Sequence, residues 1–216
     1  MRALRLGITG KISSGKSTFA RLLREQGIEV IDTDDLAKEL MANDPSLRAE
    51  IITILGPKAY SDGILNRSYV AEQIFSDDEL RHMVEAVVHP AVMTECEKRI
   101  AAAPDGSIVG VESALLVQTG YDELFDVLVM VWASDESAYS HASHGPHFKE
   151  EDFQRRLKDQ DYSDEIKSFA DFIIENDSTV EELARRSNAV IGILKVMALG
   201  NLPDEPLRIH ESEDAG

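Results

Sequence analysis

Apolar residues along the chain follow two alternating rhythms. Short runs rich in Val, Ile and Leu lie at Leu4–Thr9, Ile28–Asp32, Ser107–Glu112, Val127–Trp132 and Asp171–Glu175, and have the length and composition of buried strands. Between them, apolar residues recur three and four apart. Lys16–Gln26 places Phe19, Leu22 and Leu23 on one helical face, and Thr179–Leu199 is a longer stretch of the same kind. Strands alternating with helices predict an α/β fold: a five-stranded parallel sheet flanked by helices. The interval from Thr33 to about Gly106 is longer than a connection between neighbouring strands needs. It reads as mostly helical, with breaks at Asn43–Ser46, Gly56–Pro57 and Ser61–Gly63. We expect one domain over residues 1–200, carrying a helical insert at 33–106 and a second insert at 134–168. The acidic tail, 201–216, contains two prolines and is predicted to be disordered.

Composition narrows the function classes. The chain has 216 residues, 43% hydrophobic and 29% charged, which excludes wholesale disorder. No apolar run approaches the ~18–20 residues of a membrane span, so no membrane association is expected. Cys96 is the single cysteine, which rules out an intramolecular disulfide and a cysteine-based zinc site. With no signal-like segment ahead of Leu4, these features predict a cytoplasmic protein. Lys and Arg number 22 against 40 Asp and Glu, a net charge of −18. That argues against a nucleic-acid partner, which requires a basic footprint. A small anionic ligand is still admissible, because a few local cations offset a repulsive field. The acid excess reads either as a highly soluble surface or as adaptation to a salt-rich cytoplasm.

The strongest chemical signal is Gly10-Lys11-Ile12-Ser13-Ser14-Gly15-Lys16-Ser17, a complete G-x-x-x-x-G-K-[ST] phosphate loop. It occurs where the pattern requires it, between a strand ending at Thr9 and a helix opening near Lys16. Glycines let the backbone curl so that successive N–H groups, through Thr18, point at phosphate oxygens. The helix N-terminus adds unsatisfied donors and a favourable partial charge. Lys16 reaches the β- and γ-phosphates and Ser17 ligates Mg²⁺ in this arrangement, so ATP and Mg²⁺ are the cofactors it predicts. Asp32, Thr33 and Asp34 follow the second strand at its C-terminal end, where ligands of open α/β sheets sit. A carboxylate there either works on a substrate hydroxyl or Mg²⁺, or caps the following helix, Leu36–Met41.

These motifs, in this order, resemble the dephospho-coenzyme A kinase family over about residues 4–185. Leu6-Gly7-Ile8-Thr9-Gly10 through Gly15-Lys16-Ser17-Thr18 is similar to the family's opening strand and loop. Asp32-Thr33-Asp34 matches its Asp-x-Asp, Ala37-Lys38 the start of its next helix, Leu65-Asn66-Arg67 its Leu-Asp-Arg, and His89-Pro90 its His-Pro step. Gln160 fits a glutamine ending a later helix, and Ala170 through Asn176 resembles the last strand, which borders the adenine. The resemblance implies transfer of the ATP γ-phosphoryl group to the 3′-hydroxyl of dephospho-coenzyme A. It implies Asp32 as base, and Asp34, Arg67, His89 and Arg156 on the acceptor, bound by the helical insert under a lid at 134–168. Asn176 joins the nucleotide-binding set, and Glu112 influences Mg²⁺ through water. Arg67 also reads as a plain surface residue, and His89 as shaping a helix start before Pro90.

Three departures from the family stand out. Lys11 and Ser13 replace loop glycines, Gln118 replaces a glutamate, and no arginine lies between Ser134 and Gln154, where the family carries them. Losing an arginine that contacts the transition state costs orders of magnitude in rate. Arg155, Arg156 and Lys158 follow directly after this stretch. His141, His144 and His147 read as a solvated loop, a phosphate contact or a metal site. Two rival functions follow: a kinase for another nucleotide-like acceptor, or an ATP-binding regulatory protein with impaired turnover.

Overall fold

A computed structural model describes residues 2–143, 148–160 and 164–200, except the side chains of Asp152, Arg155, Arg156, Asp159 and Asp164. The predicted disorder of the tail and the readings of His144 and His147 lie outside the described residues. The elements run β1 (Leu4–Thr9), α1 (Lys16–Glu25), β2 (Glu29–Asp32), α2 (Thr33–Asn43), α3 (Pro45–Leu55), β3 (Tyr60–Ser61), β4 (Ile64–Leu65), α4 (Arg67–Ser76) and α5 (Asp78–Ala102). There follow β5 (Ile108–Glu112), β6 (Val127–Trp132), α6 (Asp135–Ser143), α7 (Glu150–Asp159), α8 (Asp164–Ser168), β7 (Phe172–Glu175) and α9 (Val180–Ala198). Two compact units result: Met1–Ile31 with Ile100–Gly216, and Asp32–Arg99.

The first unit is built on a five-stranded sheet of order β2-β5-β1-β6-β7, as the five apolar runs predict. β1 runs parallel to both β5 and β6, and β6 to β7. The chain passes from β1 to one side of the sheet and later to the other, so the C-terminal end of β1 is a topological switch point. The main core joins Leu4, Leu6 and Ile8 of β1 to Phe19 and Leu23 of α1 and Ile191 and Leu194 of α9, all essentially without exposed surface. Gly7 lets the other face close up: a Cβ there would meet Leu128 Cδ1 at 2.7 Å and Phe125 Cδ2 at 2.9 Å.

The second unit is helical, with one addition that the sequence reading missed. Asp44 caps α3 by accepting from the N–H groups of Ser46, at 2.7 Å, and Leu47, at 3.1 Å, ahead of Pro45 in the first turn. The expected break at Ser61–Gly63 is the turn of a small antiparallel hairpin, β3–β4. Asp62 and Gly63 have φ of 51° and 80°, the paired positive angles of a tight hairpin turn. Strands of two residues are too short to display alternation. A second correction concerns Pro90. It does not begin a helix but lies inside α5. Val84, Val88, Val92 and Cys96, four residues apart, form a buried stripe that carries the helix through the proline. Burial pushes the Cys96 thiol up to about 12, so it is an inert apolar side chain.

Asp126 ties β1 to the start of β6. Its fully buried carboxylate accepts from Arg2 at 2.6 and 2.7 Å, and from the backbone N–H and guanidinium of Arg5 at 2.9 and 3.0 Å. Burial alone would raise its pKa, but these donors outweigh it and hold the carboxyl below its ordinary value. A lowered folded pKa gives stability that is complete above about pH 4 and is lost as pH falls through the folded value. Asp126→Asn is expected to cost about 3 kcal/mol at neutral pH by stranding two half-buried arginines. Thermal unfolding measured from pH 7 to pH 3 should show that difference shrinking with acid.

Candidate active site

The turn from β1 into α1 winds through left-handed backbone at Gly10 (φ 140°), Ser13 (57°) and Gly15 (105°). Side chains are excluded at both glycines. A Cβ on Gly10 would lie 2.1 Å from the Val131 carbonyl oxygen, and one on Gly15 would lie 2.6 Å from Asn176 Nδ2. The Lys16 ammonium folds back over the loop and donates to the carbonyls of Gly10 at 2.6 Å and Lys11 at 2.9 Å. Ser17, in the first turn of α1, donates through Oγ to Glu112 Oε1 at 3.2 Å. Glu112 is buried at the end of β5, in register with Ile8. Thr18 is half-buried in the same turn.

Neighbouring elements hold the loop at nearly every residue. Asn176, just past β7, is buried and donates through Nδ2 to the Ser14 carbonyl at 2.9 Å. The Ile12 N–H donates to Gln160 Oε1 at 2.7 Å, and Ile12 packs against the small apolar cluster of Ala133, Ala138 and Phe153. Lys11 is buried, paired with Asp135 at the start of α6 and 5.1 Å from the Trp132 ring centroid. The Lys167 ammonium also approaches Trp132, at 3.8 Å. His141 Nδ1 lies 3.0 Å from the Ser13 carbonyl oxygen, so its visible partner is the loop backbone. No cluster of three metal-ligating side chains occurs among the described residues.

The loop suits a nucleoside triphosphate. Its backbone curls tightly between a strand and a helix N-terminus, and its lysine is already folded over it. The buried Ser14 Oγ has no hydrogen-bond partner within the described residues. Ser17 and Glu112 form a hard oxygen pair of the kind Mg²⁺ prefers. The structure therefore gathers Lys16, Ser17, Glu112 and Asn176 around residues 10–15.

The remaining candidates, Arg156 aside, belong to the second unit. Asp32 ends β2 and caps α2, accepting from the Asp35 N–H at 3.0 Å through one carboxylate oxygen. This cap starts α2 at Thr33, three residues earlier than the hydrophobic pattern suggests. Asp34 is exposed in the first turn of α2. Arg67 is exposed at the first position of α4, behind the Asn66 cap. His89 is half-buried on α5. The Arg156 side chain lies outside the described residues. Sequence reasoning missed the Lys11–Asp135 pair; its single visible sign was a lysine where the resembled family has glycine.

A parallel sheet whose first strand feeds this loop at its switch point, with lysine, hydroxyl and carboxylate gathered on it, defines a phosphate-loop kinase. The family model for dephospho-CoA kinase matches residues 4–182. A dephospho-CoA kinase of Salinibacter ruber is 35% identical over 185 residues, 84% of this chain and 93% of that one. Among solved structures, TT1252 of Thermus thermophilus is 31% identical, with a TM-score of 0.75 over 90% of this chain and 99% of that one. A dephospho-CoA kinase from Campylobacter jejuni shares the fold, at 20% identity, with a TM-score of 0.63 over 88% of this chain and 96% of that one. The chain belongs to the dephospho-CoA kinase family, whose members are ATP-using kinases.

Asn176→Ala is expected to strand the buried Ser14 carbonyl and cost about 1–3 kcal/mol. Urea unfolding read by circular dichroism checks the loss. Calorimetric titration should show weaker ATP binding in the same variant.

Proposed function

We propose that this chain transfers the γ-phosphoryl group of Mg²⁺-ATP to the 3′-hydroxyl of dephospho-coenzyme A, giving coenzyme A and ADP. The observation that carries this reading is the complete phosphate loop with Lys16 folded over it, in a chain whose family match covers residues 4–182. In the transfer, the acceptor oxygen forms a bond to the γ-phosphorus as the bond from that phosphorus to the β,γ-bridging oxygen breaks. The hydroxyl proton passes to a carboxylate, and ADP leaves. Lys16 and the loop amides hold the phosphate oxygens and offset their charge. Ser17 directly, and Glu112 through water, would hold Mg²⁺, which when bound neutralises charge on the phosphates.

Asp32 is the proposed base. Its fixed orientation, set by the cap on α2, supports that role. Asp34, Arg67 and His89, with Arg156, are the proposed acceptor-binding groups, and the insert at 33–106 the acceptor-binding region. The proposed site of action is the cytoplasm, where a reducing environment suits a chain with a single cysteine. No helix among the described residues is long and apolar enough to cross a membrane.

A coupled ADP-release assay with and without dephospho-coenzyme A, with the product weighed by mass spectrometry, tests the reading. Acceptor-dependent ADP and a product heavier by one phosphoryl group support it. ATP binding without acceptor-dependent turnover supports the regulatory alternative, to which the arginine-free stretch from Ser134 to Gln154 points. Asp32→Asn is expected to lower kcat at least about a hundredfold while leaving the ATP dissociation constant near that of the wild type. Near-normal turnover of that variant would remove Asp32 from the mechanism.

A further inference from the structure

Three consecutive loop residues are gripped from one direction. Lys11 pairs with Asp135, the Ile12 N–H donates to Gln160, and the Ser13 carbonyl lies within hydrogen-bond distance of His141. All three partners come from the stretch that follows β6: the start and end of α6, and the residue just beyond α7. The grip falls where the backbone is least comfortable. Ser13 is a non-glycine residue at φ 57°, which costs on the order of 1 kcal/mol and persists only where the surroundings over-determine it. Lys11 is also joined to the site's central cation. Its carbonyl is one of two that accept from Lys16 Nζ, while its own ammonium is held by Asp135 and lies against Trp132. A shift of the Lys11 side chain therefore moves a carbonyl on which Lys16 rests.

We infer that Lys11 and Asp135 are positioning residues: their ion pair, seated on Trp132, fixes the phosphate loop and through it sets Lys16 for the phosphates of ATP. This rests on the ATP-dependent reading above. The pair is asymmetric, with the Lys11 side chain 4% exposed and Asp135 76% exposed. Asp135 can thus be changed at the surface without opening the core. Its loss removes the direct partner of a buried ammonium, leaving the electrostatic influence of Asp177, in a loop that must stay rigid to bind phosphate. Rigidity set before the ligand arrives contributes directly to affinity.

Trp132 is the single tryptophan of the chain, so its fluorescence reports on the clasp itself. The test compares the wild type, Asp135→Asn and Asp135→Glu in calorimetric titration with Mg²⁺-ATP, in Trp132 emission, and in KM for dephospho-coenzyme A. Asp135→Asn should weaken ATP binding about tenfold, as expected when a buried ammonium loses the carboxylate that partners it. It should also move Trp132 emission to longer wavelength and leave the acceptor KM unchanged. Asp135→Glu should restore both affinity and emission. Rising salt should weaken ATP binding more in the wild type than in Asp135→Asn, because only the wild type has the pair to screen. Lys11→Met, which keeps an apolar stem against Trp132, should reproduce the Asp135→Asn loss if that variant unfolds. Wild-type affinity in Asp135→Asn, unmoved emission, or failure of glutamate to restore binding would overturn the inference. If the wild type itself binds no ATP, the kinase reading falls as well. Equal binding by the wild type and Asp135→Asn sinks the clasp alone.

Discussion

The passage from β1 into α1 puts three residues of a six-residue turn in the left-handed half of backbone space. A chain reaches that conformation only if the angles are permitted and something nearby prevents relaxation. Glycine supplies the permission at positions 10 and 15, where a Cβ would collide with the Val131 carbonyl or the Asn176 amide. The same two neighbours supply the restraint, since they approach closely because no side chain intervenes. Val131 belongs to β6 and Asn176 follows β7, so the loop is shaped by strands on one side of β1. Sheet order is thereby linked to the phosphate loop: the pairing of β6 and β7 beside β1 brings up the neighbours that shape it.

The electrostatics run against the composition. A chain with a net charge of −18 is proposed to attract a triphosphate, and it concentrates cations locally to do so. Lys16 lies over the loop, while Lys11 and Lys167 approach Trp132. Acids beside them have partners of their own: Glu112 accepts from Ser17, Asp135 holds Lys11, and Asp177, which also acts on Lys11, accepts from the Ser134 N–H. A buried carboxylate beside a phosphate site is unfavourable by itself and becomes useful beside a hydroxyl that can share a divalent cation with it. Asp126 follows the opposite logic. It is surrounded by arginines far along β1 from the loop and stabilises the sheet rather than the chemistry.

The five strands were legible in the sequence to within one residue at their starts, because parallel strands buried on both faces read as short continuous apolar runs. The phosphate loop was legible because its glycines and lysine are fixed by sterics and charge. The hairpin β3–β4 was not, since two-residue strands have no period. Pro90 misled for a different reason. Its local preference favours a helix start, but a buried stripe extending on both sides of it makes continuation the better packing solution. Least legible was the pairing of Lys11 with Asp135. They lie far apart in sequence, and each residue type is ordinary on a surface. Only the fold brings their side chains to the same short stretch of backbone.

The cap that Asp32 provides and the catalytic role proposed for it need not compete. Phosphoryl transfer passes through a loose transition state in which bond formation to the acceptor lags, so the hydroxyl keeps its proton until late. A carboxylate serving that step contributes more by orientation than by strength as a base. Orientation is what a helix cap provides. The hydrogen bond from the Asp35 N–H fixes one oxygen and so restricts the direction in which the other can accept. On this reasoning the cap on α2 prepares the geometry that the proposed proton-accepting role of Asp32 requires.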